Sequence, residues 1–149
     1  IILKGDLMLG KLVQNLAKRG CITIDKRSSL FELADLLSTK RIGAVVIVDD
    51  NKKPIGIVSE RDIVRHLHKS NEEFSEKNVS DIMSTKLITC GLSDSSSELM
   101  ELMTKHKVRH IPIVNNGKLI GMVTIGDVVN RLIEIYETET EHLKKYINS

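Results

Sequence analysis

Apolar residues occur along this chain in two kinds of run, and the runs come in pairs. AVVIV (44–48) and HIPIV (110–114) are nearly continuous and rich in β-branched residues. Each leads through a polar turn, DDNKK (49–53) or NNGK (115–118), into a second apolar run, PIGIV (54–58) or LIGMV (119–123). Two such runs joined by turn residues predict a β-hairpin, and continuous apolar character predicts strands covered on both faces. Upstream, Leu33, Leu36, Leu37 and Leu99, Leu102, Met103 recur at i, i+3, i+4. That spacing predicts a helix before each hairpin, with Ser28 or Asp94 as N-cap. Short apolar strands at 22–24 and 87–89 precede these helices. After each hairpin comes a polar break, SERD (59–62) or TIGD (124–127), where the pattern predicts a new helix from Asp62 or Asp127.

These pairings are a duplication. A shift of 66 places Ser29, Glu32, Leu33 and Leu36 on Ser95, Glu98, Leu99 and Leu102. One deletion in the hairpin turn changes the shift to 65, and Gly56, Val58, Asp62 and Val64 then fall on Gly121, Val123, Asp127 and Val129. Turns tolerate length change better than strands do. The chain therefore reads as a tandem β-α-β-β-α repeat of the α/β (α+β) class, with helices packed on small mixed sheets.

Amphipathic stretches also stand ahead of each repeat, LVQNLA (12–17) and VSDIMS (79–84). The expected organisation is an N-terminal segment with a leading helix (1–20), repeat 1 (21–68), and a linker with the second leading helix (69–85). Repeat 2 (86–133) and a C-terminal helical extension (134–149) follow. From the end of repeat 2 into that extension runs an apolar stripe through Val129, Leu132, Ile133, Tyr136, Leu143 and Ile147 that suits a core or a partner chain.

Composition narrows the function. Among 149 residues, 22 basic side chains against 20 acidic ones give a net charge of +2, and aromatic residues are only 3%. A basic field and stacking platforms for nucleic acid are both missing. No apolar run approaches the roughly 18 residues a membrane helix needs. Two cysteines, Cys21 and Cys90, are too few for a disulfide framework, and small buried thiols are the expectation. The expected location is cytoplasmic, or the mitochondrial matrix for a chain that has lost a targeting peptide.

The residues offer little for catalysis. His66 and His68, and His106 and His110, have no accompanying Cys/His/carboxylate set at metal-ligand spacing, so no metal site is expected. Phosphate-loop, dinucleotide and nucleophile-elbow motifs do not occur, and no enzyme is expected. The polar breaks remain. Each places a hydroxyl, Ser59 or Thr124, three residues before an acid, Asp62 or Asp127, where a strand passes into a helix. One use of those groups is helix capping, with the Asp as N-cap. Another is ligand binding: a carboxylate accepts two hydrogen bonds from a vicinal diol, and a helix N-terminus donates to phosphate. Diol plus phosphate describes a ribonucleotide, and both uses can hold at once.

With IGAVVIVDD and VRHIPIVNN before the hairpin turns, GIVSERD and GMVTIGD after them, and the whole set in duplicate, the chain resembles cystathionine β-synthase (CBS) domains. It looks like the free-standing two-repeat CBS proteins of bacteria and mitochondria. The resemblance implies a pair related by a pseudo-twofold axis that binds adenine nucleotides in two clefts built across the repeats. Asp62 with Ser59, and Asp127 with Thr124, would hold the ribose. Cys21, Ile22, Gly43 and Ala44 would line the Asp127 side, and Leu87, Ile88, Arg109, His110 and Pro112 the Asp62 side. Arg61, opposite Gly126 in the alignment of the repeats, would join Arg109 and His110 in making the Asp62 cleft the tighter phosphate site.

Three readings follow. The first is a regulatory adenine-nucleotide sensor acting in trans on a partner protein, with AMP the leading ligand and ADP, ATP or NAD(H) the alternatives. No catalytic cofactor is expected, and a homodimer is. The second is a ligand-independent interaction or dimerisation module in which the Asp residues only cap. The third, an enzyme using a nicotinamide cofactor, lacks a positioned acid, base or nucleophile. A nucleotide-dependent rise in melting temperature that Asp62→Ala abolishes belongs to the first alone.

Overall fold

The computed structural model describes residues 11–69 and 76–148. In chain order the elements are α1 (Leu12–Arg19), β1 (Thr23–Ile24), α2 (Leu30–Lys40), β2 (Ala44–Val48), β3 (Pro54–Ser59) and α3 (Glu60–Lys69). Then come α4 (Val79–Ile82), α5 (Ser96–His106), β4 (His110–Asn115), β5 (Lys118–Thr124) and α6 (Ile125–Asn148). The β-α-β-β-α order appears in both repeats, with one reduction. The apolar run at 87–89 forms no strand, and only Cys90 makes a parallel bridge, to Ile113. The expected linker falls largely on 70–75, outside the described residues.

The chain divides into two compact units. Among the described residues, one holds 21–69 and 76–87 with 116–119; the other holds 88–115 and 120–148 together with 11–20. In the first of these, β1 pairs parallel with β2, and β2 antiparallel with β3. Its core comprises Leu30, Leu33, Leu37, Val45, Ile47, Val58 and Val79. In the second, Leu99, Met103, Ile111, Ile113, Val123 and Val128 are joined by Leu12, Val13 and Leu16.

Each leading helix is thus buried with the other repeat. Val79 of α4 belongs to the core of repeat 1, and α1 to the core of repeat 2. Matched glycines make room for this. A Cβ on Gly121 would stand 3.3 Å from the Ala17 backbone in α1, and one on Gly56 would meet Met83, just beyond α4, at 2.5 Å.

Local chemistry repeats as closely as the pattern does. The N-caps are Ser29 and Ser95, one residue later than expected, and each hydroxyl accepts from the amide three residues on, Glu32 at 3.0 Å and Glu98 at 3.2 Å. A Ser followed three residues later by Glu favours that choice, because the acid can reach back to the cap amide; Glu98 does so. Both helices end on a left-handed residue, Arg41 or Lys107, at matching positions.

The hairpin turns carry the indel. Asn116 and Gly117 both have positive φ, the two-residue turn that suits strand twist. The longer turn of repeat 1 is tied by the Asp49 carboxylate, which accepts from the Asn51 and Lys53 amides. The C-terminal extension is not a separate element: α6 runs unbroken from Ile125 to Asn148. It buries Val128, Arg131 and Ile135 and leaves Ile133, Tyr136, Leu143 and Ile147 at least half exposed. Among the described residues, no helix is long and apolar enough to cross a membrane.

Candidate functional site

The two polar breaks fold alike. Ser59 ends β3 and α3 begins at the next residue. The Ser59 amide and hydroxyl both donate to Asp62 Oδ2, at 2.8 and 3.0 Å, and the Asp62 amide donates back to Ser59 Oγ at 3.3 Å. In repeat 2 the Thr124 amide donates to Asp127 Oδ2 at 2.9 Å, and the Asp127 amide to Thr124 Oγ1 at 3.2 Å. The hydroxyl residue is therefore the cap, and the acid is the third residue of the helix. This corrects the expectation of helices starting at Asp62 and Asp127; they start at Glu60 and Ile125. A reciprocal box requires the acid inside the first turn, where it reaches back to the cap amide.

Strand pairing brings other expected site residues alongside. Ala44 is the register partner of Ser59, and the Glu60 amide donates to the Gly43 carbonyl at 2.9 Å. The matching bond in repeat 2 runs from the Ile125 amide to the Arg109 carbonyl, also 2.9 Å, with His110 opening β4. These neighbours lie inside single units. Pro112 is buried and its carbonyl accepts from the Cys90 amide at 3.0 Å. Arg61, Arg109 and Ile22 are exposed, while Cys21, Leu87 and Ile88 are partly buried. The expectation of two buried thiols holds for Cys90 alone, whose thiol burial and the nearby Asp94 push up to about 12.

Electrostatics separate the two carboxylates. Both are largely buried, with 20% of the Asp62 side chain and 18% of Asp127 exposed. Asp62 Oδ1 faces Arg65 Nη1 at 3.6 Å, one helical turn away. Asp127 is gripped instead by Arg19, whose Nη1 donates to Oδ1 at 3.2 Å and whose Nη2 donates to Oδ2 at 2.8 Å. Burial raises the Asp127 carboxyl. The Arg19 and Thr124 hydrogen bonds outweigh it and hold the group below its ordinary range.

Arg19 and Arg65 did not stand out in the sequence. Under the repeat shifts they align with Thr85 and Asn130, so the duplication gave no signal for either. Arg65 was within reach of a spacing argument, since i, i+3 neighbours share a helix face.

A tandem β-α-β-β-α chain with a hydroxyl–acid box at each strand-to-helix junction defines a duplicated domain pair. The CBS domain model matches residues 13–69 and 79–134, and the chain belongs to the CBS domain family. An uncharacterised protein of Methanopyrus kandleri is 36% identical over 90% of this chain and 69% of its own length. The mitochondrial CBS domain-containing protein CBSX3 of Arabidopsis thaliana is 32% identical over 85% of this chain, which spans 62% of that relative.

Among solved structures, a CBS-domain protein of Agrobacterium tumefaciens superposes with a TM-score of 0.74 at 34% identity, covering 80% of this chain and 91% of that one. CBSX2 in complex with AMP gives 0.72 at 26% identity, covering 85% and 99%. The CBS domain pair of protein MJ0100, in complex with 5′-methylthioadenosine and S-adenosyl-L-methionine, gives 0.72 at 26% identity, covering 83% and 99%.

Proposed function

We propose that this chain is a regulatory module that binds an adenine nucleotide and passes the binding event to a partner protein in trans. The carrying observation is the pair of partly buried carboxylates, Asp62 and Asp127, each set by its Ser or Thr box at the start of a helix. The box engages Asp62 Oδ2 and leaves Oδ1 turned to Arg65 at more than hydrogen-bond distance. An oxygen in that state can take a ribose hydroxyl.

The helix start suits a phosphate. Its first amide is spent on the Gly43 carbonyl and its third on Ser59 Oγ. The Arg61 amide remains among the first-turn donors that a helix cannot satisfy internally, and it adds to the positive end of the helix dipole. Cys21, Ile22, Gly43, Ala44, Leu87, Ile88 and Pro112 are the proposed surroundings of the base, and Arg61, Arg109 and His110 the proposed phosphate contacts. CBSX2 is in complex with AMP, and the MJ0100 pair with 5′-methylthioadenosine and S-adenosyl-L-methionine, which supports an adenine-bearing ligand. AMP leads over ADP, ATP and NAD(H).

The test is a thermal-shift titration with AMP, ADP, ATP, NAD and NADH, repeated on Asp62→Ala and Asp127→Ala. An excess of 100 Kd stabilises a folded protein by about 2.7 kcal/mol. A shift present in the wild type and lost in Asp62→Ala supports the sensor. No shift with any nucleotide supports the second reading, a ligand-independent interaction module. One observation favours that alternative: the exposed apolar stripe on α6, which suits a second copy of the chain whether or not ligand is bound.

A further inference from the structure

The outward edge of Asp127 is already occupied by the chain itself. Both its oxygens accept from the Arg19 fork, and Oδ2 also accepts from the Thr124 amide. A vicinal diol binds a carboxylate through the same pair of oxygens, so diol and guanidinium compete for one edge. Asp62 differs. Its two Ser59 bonds fall on a single oxygen, and Arg65 stands off the other at 3.6 Å.

Arg19 is placed there by packing. It is the last residue of α1, whose Leu12, Val13 and Leu16 are buried in the same core as Val123 and Val128. Its Nη2 donates in addition to the Met122 carbonyl at 3.2 Å. Half of the side chain is still exposed, so the guanidinium can swing into water without a burial penalty. Under the repeat shift its counterpart is Thr85, too short and uncharged to do the same.

We propose that Arg19 is a latch on the Asp127 carboxylate that makes the two repeats unequal. Asp62 takes the diol directly, and Asp127 takes it only after Arg19 lets go. This rests on reading Asp127 as a ribose-holding group. It differs from the inequality expected from the sequence, which came from Arg61, Arg109 and His110, because the discriminating residue is a competitor at the carboxylate. The affinity of a site that is open for only a fraction of the time falls by that fraction.

The test is calorimetric titration of AMP into the Asp62→Ala chain, which isolates the Asp127 site, and into the same chain carrying Arg19→Ala or Arg19→Lys. Releasing a half-exposed pair of this geometry should tighten AMP roughly 2- to 5-fold in Arg19→Ala. Arg19→Lys should fall between, because an ammonium cannot engage both oxygens as a fork does. It also keeps the charge near the helix end, so it carries the test if Arg19→Ala does not fold.

Unchanged or weaker AMP binding in folded Arg19 variants overturns the latch; weaker binding would make Arg19 a ligand contact. If the wild type binds AMP but no Asp62→Ala chain does, the latch fails while the nucleotide reading survives at Asp62. If the wild type binds no adenine nucleotide, the functional reading fails and the latch with it.

Discussion

Arg19 and Asp127 are 108 positions apart in sequence and joined at 2.8 Å by a two-point ion pair. It holds the Asp127 carboxyl below its ordinary pKa of 3.8, and that direction fixes its pH dependence. A depressed carboxylate contributes stability that is complete above the unfolded value and is lost as pH falls through the folded one. Urea midpoints should therefore separate wild type from Arg19→Ala at neutral pH, with the gap closing in acid below 3.8. A gap that persists undiminished in acid would mean that Arg19 stabilises through packing rather than through Asp127.

The burial of α1 in the core of repeat 2 predicts where damage to it is felt. Leu16→Ala should cost about 2–5 kcal/mol. Hydrogen exchange should rise in 88–115 and 120–135, and stay unchanged in 21–48. Faster exchange in 21–48 alone would place α1 with its own repeat instead.

Gly56 and Gly121 are matched, but their neighbours differ in how far they can yield. A Cβ on Gly121 meets Ile113 Cδ1 at 3.0 Å and the α1 backbone at 3.3 Å, whereas one on Gly56 meets the end of Met83 at 2.5 Å and the Ser84 carbonyl at 3.3 Å. Each Ala substitution should destabilise by about 1–3 kcal/mol. Adding Met83→Ala should recover much of the loss for Gly56→Ala. Removing the Ile113 tip with Ile113→Val should recover less for Gly121→Ala, because the clash it relieves is the milder one, 3.0 Å against 2.5 Å, while backbone stays 3.3 Å away at both sites. Equal rescue in the two urea titrations would contradict this.

The thiols should react unequally. Cys90 is 5% exposed with its pKa raised to about 12, while Cys21 is partly exposed. Mass spectrometry after iodoacetamide treatment at mildly alkaline pH should find Cys21 modified and Cys90 untouched until the protein is unfolded. Modification of native Cys90 at the rate of Cys21 would contradict the core placed around it.

The proposed homodimer is tested at α6. Ile133 and Tyr136 are 50% and 71% exposed on the stripe that continues to Leu143 and Ile147. Light scattering at micromolar concentration should give a dimer for the wild type and a monomer for Ile133→Asp/Tyr136→Asp. A monomeric wild type would leave the stripe without its proposed partner.

The hairpins, the two apolar helix stripes and the duplication were legible because each is a local matter. Continuous apolar strand runs, helical periodicity and turn chemistry act over a few residues and leave their mark in the order of side chains. The caps of α2 and α5 were legible to within one residue, whereas those of α3 and α6 were read at Asp62 and Asp127, three residues beyond the Ser59 and Thr124 that form them. Ser28 and Ser29 offer the same hydroxyl, and only the reach of the acid three residues on selects the second. The short strand at 87–89 was over-read, since an apolar triplet carries too little pattern to separate one bridge from a ladder.

The sequence alone determined that two copies of one unit exist, that each ends a strand in a hydroxyl three residues before an acid, and that these pairs sit where helices begin. Tertiary structure decided that each leading helix is buried with the other repeat, and that Arg19 closes on Asp127 while Asp62 meets only a looser neighbour. The reason is range. A capping box spans four residues and is written in them. The partner of a buried helix, or of an arginine at its end, depends on which core has room, and a pair of glycines at 56 and 121 marks that room without saying which helix fills it.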